Sequence, residues 1–206
     1  MASLATRVER LLDGPRPLPI VQAGDPVLRT PARPYAEDPL EPGLLAALIA
    51  AMRETMLAAP GVGLAAPQVG LGVRIAVIED TAAVPTSIAL ARERTPVPFR
   101  VLVDPSYEAV DDELVSFYEG CLSVAGYQAV VARSRAVRLR CTDEQGRAVD
   151  EELTGWPARI VAHEVDHLDG MLYLDRAVTR SLTSNENYLS RWATPVPDVA
   201  GQALGF

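Results

Sequence analysis

The chain contains two histidines, His163 and His167, within His163-Glu164-Val165-Asp166-His167. On a helix, residues four apart share a face, so both imidazoles reach one metal ion. Glu164, beside the first, is placed to accept a proton from a metal-bound water. Two histidines placed at random would take this spacing, with Glu following the first, in roughly 0.1% of cases or fewer. Metal-assisted hydrolysis therefore leads over a pair of idle surface histidines.

A catalytic metal needs a third ligand, and several residues compete for that place. Tyr173 stands where a third histidine would complete the metzincin pattern. Glu186 follows His167 at the spacing of some gluzincin aminopeptidases, which gives a metallopeptidase reading. Cys121 and Cys141 with both histidines would instead close a structural Cys2His2 site, leaving Glu164 without work.

These groups must be held by elements that the sequence also marks. Leu4, Val8, Leu11 and Leu12 share a helical face that Gly14 ends. Six prolines in residues 15–34 imply an extended surface path. Pro42 suits a helix first turn, and Leu44, Leu45, Leu48, Ile49, Met52 and Met56 form its apolar stripe. After glycine-rich residues 61–70, strands are expected over 73–79, 100–104, 114–118, 128–132, 136–142 and 147–153, the last two joined at Asp143-Glu144-Gln145-Gly146. Residues 80–99 read as a loop that is functional or mobile. Residues 156–168 read as a helix ended by Asp169-Gly170. Strands first and one buried helix late give an α+β fold, with short antiparallel strands packed around a central helix that carries the histidines. No repeat or linker interrupts the chain. A single domain over 1–206 is expected, with its core at about 20–175 and a tail at 176–206.

Composition removes other chemistries. The 19 basic residues are all Arg, which excludes a lysine nucleophile, a Schiff base and a P-loop. Against 27 acidic residues they leave a net charge of −8 with no basic stripe, so no direct nucleic-acid binding is expected. Two cysteines are too few for a disulfide scaffold. The first residues lack the apolar core of a signal peptide, and the most apolar run, 44–51, falls far short of a membrane span. The expected setting is the cytoplasm.

Three blocks then line up in order: Gly61-Val62-Gly63-Leu64-Ala65-Ala66-Pro67-Gln68, Glu119-Gly120-Cys121-Leu122-Ser123, and His163-Glu164-Val165-Asp166-His167-Leu168-Asp169-Gly170. Together they resemble the three signature motifs of the peptide deformylases, with similarity running from about Ile20 to about Asp175. The resemblance implies that Cys121, His163 and His167 hold one divalent ion, Fe(II) physiologically, with nickel, cobalt or zinc as substitutes. It implies that water on this ion attacks the N-formyl carbonyl of a nascent chain beginning with formyl-methionine, and that formate is released. Glu164 would serve as base and then acid. The Gln68 side-chain amide and the Leu122 backbone N–H would stabilise the oxyanion.

Gly61 and Gly63 read as sites of close backbone approach. The resemblance implies that this backbone, with Gly120, pairs with the substrate as an added strand. Val62 and Leu64 would flank the methionine pocket, and Trp156, Arg159 and Ile160 would line its far wall. Ala125, Gln128 and Ala162 depart from common family residues, which leaves the ligands intact and puts substrate affinity in question. The tail is not the basic helix some members direct at the ribosome. Tyr188, Leu189 and Trp192 stand at near-helical spacing and are expected to pack on the domain or on a second subunit.

Overall fold

The structure is a computed structural model, and it describes residues 2–206. Two antiparallel sheets and the helix between them organise the chain. The larger sheet has the order β1 (Gly63–Ala65), β2 (Ile75–Asp80), β3 (Val97–Ala109), β6 (Ala136–Thr142) and β7 (Ala148–Thr154). The smaller sheet joins β4 (Leu114–Cys121), β5 (Val124–Ser134) and β8 (Thr183–Ser184). This is the expected α+β arrangement.

Side-chain alternation divides the larger sheet into two buried faces. Ile75 and Val77 of β2, with Val101 and Val103 of β3, face α1 (Leu4–Leu12) and α2 (Pro42–Ala58). Their neighbours Ala76, Ile78 and Leu102 face the other way, onto Ile160, Val161, Val165 and Leu168 of α4 (Trp156–Leu168). A strand buried on both faces reads as a continuous apolar run, as 75–78 does. Helix α4 packs against β1, β2, β3, β5, β6 and β7 and meets β4 through its side chains. Gly155 at φ +67° precedes it, and Gly170 at φ +78° follows its last turn against the backbone of Arg29.

Several elements differ from expectation. Residues 63–65 form the edge strand β1, too short to show a period-2 pattern. Strand β3 continues past Asp104-Pro105 through a register shift, where Asp104 takes φ +49°. Its carboxylate accepts the Tyr35 N–H at 2.6 Å and the Ala36 N–H at 3.1 Å, so a bulge stands where Asp-Pro reads as a break. The 80–99 stretch contains a short helix, α3 (Thr86–Ala91).

The tail forms α5 (Asn185–Asn187), a π-helical turn at Tyr188–Trp192 and α6 (Asp198–Leu204). Tyr188, Trp192, Ala200 and Leu204 pack on Tyr118 and Val130 of the smaller sheet, while Leu189 stays exposed. Among the described residues no helix is long and apolar enough to cross a membrane.

Candidate metal centre

Strand β4 and helix α4 run side by side with nearly equal repeats. Two strand residues advance about 6.6 Å, and four helix residues advance about 6 Å. Alternate side chains of the strand therefore meet every fourth side chain of the helix. The Arg159 guanidinium lies 5.1 Å from the Phe117 ring centre. One step on, Glu119 is 3.0 Å from Nδ1 of His163. A further step brings the Cys121 Sγ within 3.2 Å of the His167 Nε2.

The pairing places three donor atoms, from Cys121, His163 and His167, within 4.8 Å of one another. Among the described residues this is the only such group. One thiolate and two imidazoles suit a first-row divalent ion, and three protein ligands leave a coordination position open. Because Glu119 occupies Nδ1 of His163, that ring presents Nε2 to the other donors.

Glu119 in turn belongs to a buried charge network. Arg133 reaches it through Nε at 2.7 Å and Nη2 at 3.0 Å, and reaches Asp166 through Nη1 at 2.7 Å. Arg159 also donates to Glu119, and Arg176 to Asp166. Burial opposes ionisation of Glu119, yet Arg133 and the hydrogen bonds from His163 and Arg133 outweigh it, holding the carboxyl well below the usual range. Glu119 is thus a fixed anion that orients the His163 imidazole.

Glu164 lies beside the donors, buried, with Oε2 meeting no partner. Burial pushes its carboxyl up to about 7, against the opposing pull of His163 and Arg133. Gly63 makes room for it, because a Cβ there would lie 2.2 Å from Oε1. Gln68 is buried, and its Oε1 accepts the Ala65 N–H at 2.8 Å. That bond turns its amide nitrogen toward Ser123 Oγ at 3.2 Å and Cys121 Sγ at 3.6 Å. The amide therefore offers a donor at the site.

Gln68, Glu119, Cys121, His163 and Glu164 border a cleft of ≈ 500 Å³, and His167 lies buried behind them. Gly61, Val62, Gly63, Gly120, Leu122, Trp156 and Ile160 also line it. Leu64 does not: it is wholly buried in the core shared with α2, which corrects its expected place on the pocket wall. Arg159 borders the cleft, but its guanidinium is engaged by Glu119 and by the carbonyls of Val115 and Val131. Glu186 is exposed and outside the donor group. Cys141 lies in the core on β6, where burial pushes its thiol up to about 11.

Sequence reasoning assigned no role to Glu119 and did not bring Arg92, Asn185 or Tyr188 to the cleft. Glu119 carried a usable signal, two residues before Cys121 on one strand face. The others come from segments distant in sequence, and the near-helical spacing at Tyr188 shows only that it packs, not on which wall.

The sequence matches the Polypeptide deformylase family over residues 17–182. It is 66% identical over 203 residues to peptide deformylase 3 of Streptomyces avermitilis, covering 98% of this chain and 90% of that one. Peptide deformylase 1 of Streptomyces coelicolor is 61% identical over 203 residues, covering 98% and 93%. Among solved structures, the Met-Ala-Ser-bound class I type b peptide deformylase of Acinetobacter baumannii aligns with a TM-score of 0.69 and 34% identity, over 77% of this chain and 98% of that chain. With a match over most of its length, this chain belongs to the polypeptide deformylase family, the hydrolases that remove the N-formyl group from nascent chains.

Proposed function

We propose that Cys121, His163 and His167 hold one divalent ion, Fe(II) in the cell, and that Glu164, Gln68 and Leu122 carry the hydrolysis of the formyl amide beside it. The convergence of the three donors next to a buried carboxylate, with Cys121, His163 and Glu164 at the wall of an open cleft, carries this reading. Such an ion, when bound, supplies Lewis acidity toward the formyl oxygen and an acidified water. Glu164 takes a proton from the attacking water and delivers it to the departing amine nitrogen. The Gln68 amide nitrogen and the Leu122 N–H donate to the oxygen on which charge develops. Glu119 keeps His163 in one tautomer, and the Arg133 network keeps Glu119 ionised.

The free edge of β1 suits an extended peptide, which would add to the larger sheet as a further strand at Gly61–Gly63. Gly120 borders the same track from β4. Val62, Trp156 and Ile160 then receive the methionine side chain. Binding of Met-Ala-Ser by the Acinetobacter enzyme supports this placement. We assign the action to the cytoplasm, on formylated chains leaving the ribosome, by one domain whose tail completes the cleft through Asn185 and Tyr188. Contact with the ribosome through that tail is not part of the proposal.

The test is formate release from formyl-Met-Ala-Ser by anaerobically purified protein, beside the unformylated peptide scored for backbone cleavage. Formate without cleavage is expected, with iron in the purified protein. Cleavage without formate would overturn the reaction, and zinc alone would overturn the assignment of Fe(II). Glu164→Ala is expected to keep the metal and lose turnover by at least about 100-fold.

A further inference from the structure

One wall of the cleft carries a cation that has no counterion among the described residues. Arg92 follows α3, is 9% exposed and borders the cleft. Its guanidinium lies between two rings, 5.4 Å from the centre of Phe117 and 5.2 Å from that of Trp156. Among the described residues its side chain has no hydrogen bond or ion pair, and its buried Nε has no partner. Arg159 stacks on the same Phe117 ring but is satisfied by Glu119 and two carbonyls. A buried donor without an acceptor is costly. An acceptor supplied by the occupant of the cleft would relieve that cost.

Arg92 is held in this place. The adjacent Glu93 takes φ +47°, and its carboxylate accepts from Arg135 at 2.7 and 2.8 Å. Asp80 ties the segment to α4, accepting from Arg94 at 2.7 Å and from the Trp156 indole at 3.0 Å. Gly155 lets the two elements touch, since a Cβ there would lie 2.4 Å from the Cβ of Glu93. A strained residue persists where its surroundings over-determine it, often at functional positions.

Val62 and Ile160 give the cleft lining an apolar part, and Trp156, which Arg92 stacks on, borders it too. Trp156 precedes His163 by seven residues, about 10 Å along α4. From a formyl carbon through a methionine side chain to an oxygen on its sulfur is six bonds, about 7 Å in an extended chain. A hydrogen bond adds about 3 Å. The thioether sulfur is a weak acceptor, whereas the sulfoxide oxygen is polar and strongly accepting.

We propose that Arg92 is a specificity residue that lets this enzyme deformylate chains beginning with N-formyl-methionine sulfoxide, the guanidinium donating to the sulfoxide oxygen. The inference rests on the deformylase reading above. It is tested by kcat/KM for formyl-Met-Ala-Ser and for its sulfoxide counterpart, with the two sulfoxide epimers separated. Wild-type enzyme is expected to process the better epimer within about tenfold of the thioether peptide. In Arg92→Met the ratio of sulfoxide to thioether kcat/KM is expected to fall by about 10- to 100-fold, the loss of one charged hydrogen bond. Arg92→Lys should fall between, and the epimer preference should fade in Arg92→Met.

Because the readout is a ratio within one variant, a general packing defect cancels. A parallel loss of both substrates in Arg92→Met would overturn the proposal, as would wild-type rejection of both epimers by more than about 100-fold. Turnover of the thioether peptide alone would leave the deformylase reading standing without this extension. Turnover of neither peptide would remove both.

Discussion

Replacing Gly63 by alanine tests whether the strand at the cleft edge and the candidate general base were shaped for each other. A Cβ at residue 63 would stand 2.2 Å from Oε1 of Glu164, 2.5 Å from its Cδ and 2.8 Å from its Cγ, where ordinary contact begins near 3.4 Å. The carboxylate must therefore retreat by roughly 1 Å. It is 4% exposed within a packed helix face, so it has little free space to take up the shift. A displacement of that size at a reacting group costs about 100-fold in rate. The steric conflict itself should lower stability by about 1–3 kcal/mol. We expect kcat for formate release to fall about 100-fold while metal content stays at one ion per chain. In a Glu164→Ala background the same change should cause little further loss, because its effect passes through the absent carboxylate. Near-normal kcat in Gly63→Ala, or a full second loss in the double variant, would refute the reasoning.

The remaining predictions concern the metal, the charge network and the second thiol. Cys121→Ala should lose bound metal, while Glu186→Ala and Cys141→Ser keep it; elemental analysis of each purified variant decides. Arg133→Met strips one partner from each of two buried carboxylates, Glu119 and Asp166, and should cost about 3–5 kcal/mol in urea denaturation. A loss below about 1 kcal/mol would show that Arg159 and Arg176 suffice. Burial disfavours the Cys141 thiolate and pushes its pKa up to about 11. Its alkylation in the folded protein, followed by peptide mapping, should accelerate about tenfold per pH unit up to that value. A plateau near pH 9 would contradict it.

Much of the scaffold was readable because burial imposes a period. The stripe of α2, the two-faced run of β2 and the histidine helix each follow from apolar spacing. Helix α4 begins and ends at the residues that spacing predicts. What escaped was held by contacts remote in sequence. Strand β3 runs through Asp104-Pro105 because the Asp104 carboxylate is engaged by the N–H groups of Tyr35 and Ala36, 69 and 68 residues away. Leu64, two residues after Val62, looked equally available to the cleft. Only the position of α2 decides that it is core.

The proposed third metal ligand shows where the boundary lies. From the helix alone, Cys121, Cys141 and Glu186 were all admissible, because helical periodicity says nothing about which strand lies alongside. Family resemblance singled out Cys121, and the geometry supplies the physical reason. A strand gains nearly the same length in two residues as a helix does in four, so Phe117, Glu119 and Cys121 meet Arg159, His163 and His167 in step. The same register sets the order of groups along β4 and α4, with Arg159 at the Phe117 end, Glu119 on His163 in the middle and the candidate donors Cys121 and His167 at the far end. Cys141 cannot join that series, because it lies on β6 of the larger sheet, in the core that holds the apolar Ile160, Val161, Val165 and Leu168 of α4. Glu119 was therefore as predictable as Cys121 once β4 was known to extend to residue 121. The expectation that β4 ended at Tyr118 is what hid it.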